Sequence, residues 1–95
     1  MSAKADRPSL IFFHSRRSGR SRRAEGYLSQ VLQRRGNHET FRIYRVDTSE
    51  QPELAQRFKI EDVPTLVVVE NKSVRGRVSP DGCTEIEQLL RPWLR

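Results

Sequence analysis

The chain is poor in the residues that usually carry covalent or metal chemistry. It has one cysteine, Cys83, so no disulfide can form within it, and its two histidines show no spacing that would build a metal site. No apolar run approaches the roughly 18 residues needed to cross a membrane. The first nine residues, MSAKADRPS, lack the apolar stretch of a secretory signal. These absences lead to the expectation of a cytoplasmic protein with no metal, no cofactor and no membrane partner. Hydrophobic residues make up only 35% and aromatics 7% of the 95 residues. One core is therefore the limit, and its few apolar segments must fill it efficiently.

Acidic residues are missing from one place in particular. HSRRSGRSRR, His14 to Arg23, holds five arginines, three serines and a glycine but no carboxylate, and it directly follows the apolar run LIFF. The formal net charge is +6, of which Arg16, Arg17, Arg20, Arg22 and Arg23 supply five. The remainder is nearly balanced, so the basic character is one local patch.

Around that patch the hydrophobic periods alternate. SLIFF, after Pro8, reads as a short strand buried on both faces. From Ser21 onward Ala24, Tyr27, Leu28, Val31 and Leu32 recur at helical spacing, and Gly36 stands where a helix would stop. FRIYRVD, Phe41 to Asp47, alternates as a strand with one wetter face. A second helix is expected near Pro52, capped by Ser49 or Gln51, with Leu54, Ala55 and Phe58 as its apolar stripe. TLVVVE reads as a central strand, NKS as a tight turn into VRGRV, and the segment after SPDG as a last helix carrying Ile86, Leu89 and Leu90. The order is β-α-β-α-β-β-α. It predicts an α/β domain over residues 8–95 with a four-stranded mixed sheet, helices on both faces and a disordered tail at 1–7. The first two strands should be parallel and the last two a hairpin.

FKIEDVPTLVVVENKSV, Phe58 to Val74, together with VDTSEQPELA before it, resembles the thioredoxin family, without the extra N-terminal strand and helix that many members carry. The likeness covers residues 8–92, and Val63-Pro64-Thr65 is its most specific part. It implies that Pro64 is the family's cis-proline. It also implies that the family's Cys-x-x-Cys falls on Ser18, Gly19, Arg20 and Ser21. Both thiols are then absent, Gly19 keeps the family glycine, and Arg17 and Arg20 replace its tryptophan and proline. The family's buried acid maps to Phe12, and its lysine maps approximately to Ile43. The scaffold is thus expected to be redox-inactive and not an enzyme of disulfide exchange.

In the family frame Ser18 to Arg23 open a helix, where the backbone already presents positive partial charge and each added cation costs about 0.3–1 kcal/mol. An anionic partner would offset that cost. Gly19 allows close backbone approach, and Ser18 and Ser21 can donate hydrogen bonds. The expected site comprises Arg16, Arg17, Ser18, Gly19, Arg20, Ser21, Arg22 and Arg23, with Val63 and Pro64 lining the family's peptide groove. The expected partner is an acidic or phosphorylated protein segment. Nucleic acid is the alternative, although no aromatics interleave the arginines for base stacking. A plain solvated loop in which Ser21 only caps the helix is the competing reading. Ser15, Ser18 and Ser21 beside arginines also have the form of basic-directed phosphorylation sites. His14 is expected to make a structural contact. A monothiol role for Cys83, at the start of the last helix, stands as a further alternative.

Overall fold

The computed structural model describes residues 7–94, apart from the side chains of Arg35 and His38. Of the expected tail, residues 1–6 lie outside the described residues, and the Arg7 guanidinium donates to the carbonyl of Glu39 at 3.0 Å. Four strands, β1 (Ser9–His14), β2 (Arg42–Asp47), β3 (Thr65–Glu70) and β4 (Ser73–Val78), form one sheet in the order β2-β1-β3-β4. β1 and β2 are parallel, because a helix carries the chain back between them; β3 runs antiparallel to β1 and pairs with β4 in a hairpin. The hairpin turns at Asn71 and Lys72, with φ of 53° and 65°, the left-handed pair that a two-residue turn needs to match strand twist.

Three helices cover the sheet: α1 (Gly19–Gln33), α2 (Pro52–Arg57) and α3 (Cys83–Leu90). The side-chain alternation of the strands separates two cores. Leu10 and Phe12 of β1 with Leu66 and Val68 of β3 pack under Ala24, Leu28, Val31 and Leu32 of α1 and Ile86 and Leu90 of α3. On the opposite face Phe13, Val46 and Val67 meet Leu54, Phe58 and Ile60 around the short α2. Phe12, at the position of the family's buried acid, is fully buried in the first core, and Ile43 packs against that core.

Three local expectations are corrected. α1 begins at Gly19 rather than at Ser21, because the Ser18 hydroxyl accepts the Ser21 amide at 3.1 Å and so caps the first turn. Its regular turns stop at Gln33, and a 3-10 segment, Arg34–Glu39, follows with Gly36 at φ 65°. At α2, Gln51 occupies the cap position without a side-chain bond, while Phe58 lies just past the last turn. Ser49 instead binds Asp47.

Candidate functional site

Four connections meet at one end of the sheet. The parallel strands β1 and β2 finish there, β3 begins there, and β4, antiparallel to β3, ends there. The register pairs Phe13 with Thr65, which puts Pro64 level with His14, one step beyond the last bridge. The Val63-Pro64 peptide is cis, and the Pro64 carbonyl accepts the Ser79 hydroxyl at 2.6 Å. The topology therefore brings Val63 and Pro64 to the same end as the arginine segment, 40 or more positions away in the chain.

Within the segment the serines do most of the shaping. The Ser15 carbonyl accepts the Ser18 amide at 3.1 Å, and the Ser15 hydroxyl accepts the Arg17 amide at 3.3 Å, folding the loop into a turn. Ser21 points inward. It is only 3% exposed, and its oxygen accepts the Ser15 amide at 3.2 Å. A buried hydroxyl is a poor acceptor for a kinase, so of the three serines only Ser15 and Ser18 stay within reach of solvent. Gly19 sits under Arg23: a Cβ there would lie 3.7 Å from the Arg23 Nη1.

The five arginines do not form the unneutralised cluster expected from the sequence. Arg16 reaches Glu50 at 3.1 Å and stands 3.8 Å from Asp47, while Arg20 bonds Asp81 at 3.0 Å. The acids come from the end of β2 and from the β2–α2 and β4–α3 loops, which the fold carries to this end. Arg17, Arg22 and Arg23 are exposed, and among the described residues no hydrogen bond or ion pair engages their guanidinium groups. Arg16 is 81% exposed and Glu50 59%, so their pair contributes at most about 1 kcal/mol and is readily exchanged for another anion. A hollow of about 260 Å³ opens between the strand end and α1, lined by Phe12, His14, Ser15, Arg16, Ser21, Arg22 and Glu25. His14 stacks on Phe12 with ring centroids 5.4 Å apart, the structural contact expected of it. Glu25, the one acid in the lining, is ion-paired with Arg45 at 2.8 Å.

Asp47 had no place in the sequence-based site. It is 6% exposed; one carboxylate oxygen accepts the Ser49 hydroxyl at 2.6 Å and the Ser49 amide at 2.9 Å, whereas Oδ2 has no hydrogen-bond partner. The Ser49 hydroxyl holds its pKa below the ordinary 3.8, with help from the Ser49 amide, the His14 charge and the Glu50 amide, against the opposing effect of burial. The D-T-S turn at the end of a strand pattern was the available signal, since Asp commonly closes such turns on the amide two residues on.

Cys83 lies elsewhere. Its thiol donates to Gln30 Oε1 at 3.1 Å and faces the Tyr27 carbonyl at 3.8 Å. Gln30 is twelve residues along α1 from Ser18, about 18 Å at 1.5 Å per residue.

The sheet order, the cis-proline opposite the strand-to-helix loop and the helix opening at Gly19 agree with a single family model, Thioredoxin, which matches residues 2–92. The chain belongs to the thioredoxin family. Among solved thioredoxins, Deadhead from Drosophila melanogaster superposes with a TM-score of 0.82 at 15% identity, covering 94% of this chain and 83% of that one. Mitochondrial thioredoxin 3 from Saccharomyces cerevisiae gives 0.80 at 19%, with 94% and 81% covered. Thioredoxin from Trypanosoma brucei brucei gives 0.79 at 17%, with 92% and 74% covered. A search of curated proteins finds no match. In this thioredoxin the motif positions carry Ser18 and Ser21, and the single cysteine sits on another helix. Among the described residues no helix is long and apolar enough to cross a membrane.

Proposed function

We propose that this thioredoxin-fold protein has exchanged disulfide chemistry for recognition, and binds an acidic or phosphorylated protein segment in the cytoplasm. The observation that carries the reading is the hollow beside the motif loop: Ser21, a former thiol position, forms its buried wall, and the cations Arg16 and Arg22 stand at its rim. Its volume of about 260 Å³ suits a phosphate or carboxylate group with room for bridging water. The Ser21 hydroxyl accepts one backbone amide, which leaves its proton to donate to an anion. Arg17, Arg22 and Arg23 provide charge without giving up an internal partner, and Arg16 can leave Glu50 at little cost. A segment lying across the loop would pass the Val63-Pro64 peptide, where thioredoxins hold extended chains. Two serines cannot form a disulfide, and among the described residues neither hydroxyl has a base hydrogen-bonded to it that would make it a nucleophile.

The test is a titration of the 15N-labelled domain followed by backbone amide shifts at fixed salt. Inorganic phosphate, an acidic peptide, a phosphopeptide and a short single-stranded RNA are added in turn. Saturable shifts at residues 15–24 and 63–65, strongest with the phosphopeptide or acidic peptide, are the expected result. A ranking led by RNA transfers the site to nucleic acid, and no saturable shift with any of the four refutes anion recognition at this loop.

A further inference from the structure

The hollow beside the motif loop contains one group that the proposal above leaves unused. β1 alternates its side chains between the two faces of the sheet, so His14 leaves on the same side as the buried Phe12, toward α1. Its ring stacks on Phe12 with centroids 5.4 Å apart and lines the space of about 260 Å³. Thr48 takes up the His14 carbonyl, its amide donating at 3.0 Å, whereas among the described residues neither ring nitrogen has a hydrogen-bond or ion-pair partner. The charged groups around the ring come from three directions. The loop supplies Arg16, drawn toward Glu50 at 3.1 Å. From α1 come Arg22, with no internal partner among the described residues, and Glu25, ion-paired with Arg45 of β2 at 2.8 Å. β2 also supplies Asp47, the register partner of His14, which is 6% exposed and whose Oδ2 lacks a hydrogen-bond partner. On the other side of β1, the Val63-Pro64 peptide stands level with His14 and carries no charge.

We infer that His14 is a ligand-binding residue of this hollow and that its protonation gates the site, so that a dianionic oxyanion, a phosphate monoester, is held more tightly in mild acid. The inference rests on the anion-recognition proposal above and adds the group that regulates it. Histidine is the side chain whose charge ordinarily changes between about pH 5 and 8. An imidazole with both nitrogens unengaged donates one hydrogen bond when neutral and two when charged, and the charged donor holds an oxyanion more strongly. Arg16 and Arg22 by themselves oppose a third positive charge beside them, and an anion held among the three reverses that balance. Asp47 favours the charged ring throughout. Their coupling is visible from the acid's side, since the His14 charge helps to hold the Asp47 carboxyl below 3.8. Three cations converging on one space favour a phosphate monoester, with about two charges, over a lone carboxylate.

The test is a titration of the whole 15N-labelled chain with sodium sulfate at fixed ionic strength, at about pH 8 and about pH 5.5. Sulfate is the probe because, unlike phosphate, it keeps its charge across that range. Amide shifts at residues 15–24 should saturate at both pH values, with affinity about tenfold higher at the lower one, as a neutral hydrogen bond becomes charge-assisted. His14→Gln, which keeps a donor but does not titrate, should bind with one affinity at both pH values, and His38→Gln should behave as the parent does. In the parent the ring resonances of His14 give an independent measure, because proton and anion must tighten one another equally: sulfate should carry their titration to higher pH. An affinity equal at the two pH values, a pH dependence that survives in His14→Gln, or a ring titration unmoved by saturating sulfate overturns the role of His14 while anion recognition stands. No saturable shift at either pH removes both.

Discussion

Ser18 is the most informative single position, because it caps α1 and also stands where the family has its first thiol. The first turn of α1 contains no acid, and Arg20, Arg22 and Arg23 load its positive end. The Ser18 hydroxyl, accepting the Ser21 amide at 3.1 Å, caps that turn, while Asp81 pairs with Arg20 alone. Ser18→Ala removes the bond and should cost about 1 kcal/mol. For a domain of this size that lowers the thermal midpoint by about 4–8 °C, or the urea midpoint by on the order of 0.5 M. Ser18→Asp keeps an acceptor at the cap and adds a negative charge beside the helix dipole and three arginines, which should stabilise by roughly 0.3–1 kcal/mol. The two effects differ in salt. At 1 M NaCl the screening length falls to about 3 Å, so the gain from aspartate should shrink while the loss from alanine persists. Urea unfolding followed by circular dichroism at low and high salt measures both. An alanine variant within about 0.3 kcal/mol of the parent, against the loss of roughly 1 kcal/mol expected for a cap, would refute the capping argument. An aspartate variant as destabilised as alanine would refute the electrostatic one. The same aspartate should also weaken phosphate and acidic-peptide binding at the loop, because it occupies the charge that the ligand would meet.

Placing thiols at both motif positions, Ser18→Cys with Ser21→Cys, should raise dithiothreitol-driven insulin reduction well above that of the parent; turnover by the parent at the rate of a dithiol thioredoxin would sink the binding-only reading. Phe12→Asp should leave the domain largely unfolded by circular dichroism: losing a buried Phe costs about 3–5 kcal/mol before the charge is counted, out of a total of roughly 5–15 kcal/mol. A cooperative melt within a few degrees of the parent would contradict that. Ser49→Ala should expose the Asp47 linkage. The carboxyl is held below 3.8, so its ionised form stabilises the fold above about pH 4, and that contribution is lost as pH falls through the lowered value. The deficit of the variant should be steady from neutral pH to about 4 and close in stronger acid; a deficit equal at every pH refutes the linkage. Lys72→Gly, at φ 65°, should raise stability by about 0.5–1 kcal/mol as the left-handed strain is relieved, and a lower melting temperature would refute it.

The strands were legible because their periods are unambiguous. SLIFF and TLVVVE are continuous apolar runs, and both are buried on two faces at the centre of the sheet. The hairpin at Asn71 was legible from turn chemistry alone. The start of α1 is ambiguous by periodicity alone, because Ser18 and Ser21 are equally good caps in one dimension. Only the packing of Ser21 against the end of β1 tells them apart. The charge at the site was misjudged for a similar reason. Arg16 and Glu50 are 34 positions apart, and Arg20 and Asp81 are 61 apart, so no local pattern joins them.

The sequence by itself determined the order of elements, the absence of a dithiol and the concentration of arginine after the first strand, because each depends on residue type and near-neighbour spacing. Tertiary structure decided which of those arginines are engaged. It also decided where Val63 and Pro64 stand relative to them and which acids reach that end of the sheet. These are contacts between segments that meet only when the sheet closes, and their energies depend on distances that no chain order encodes locally.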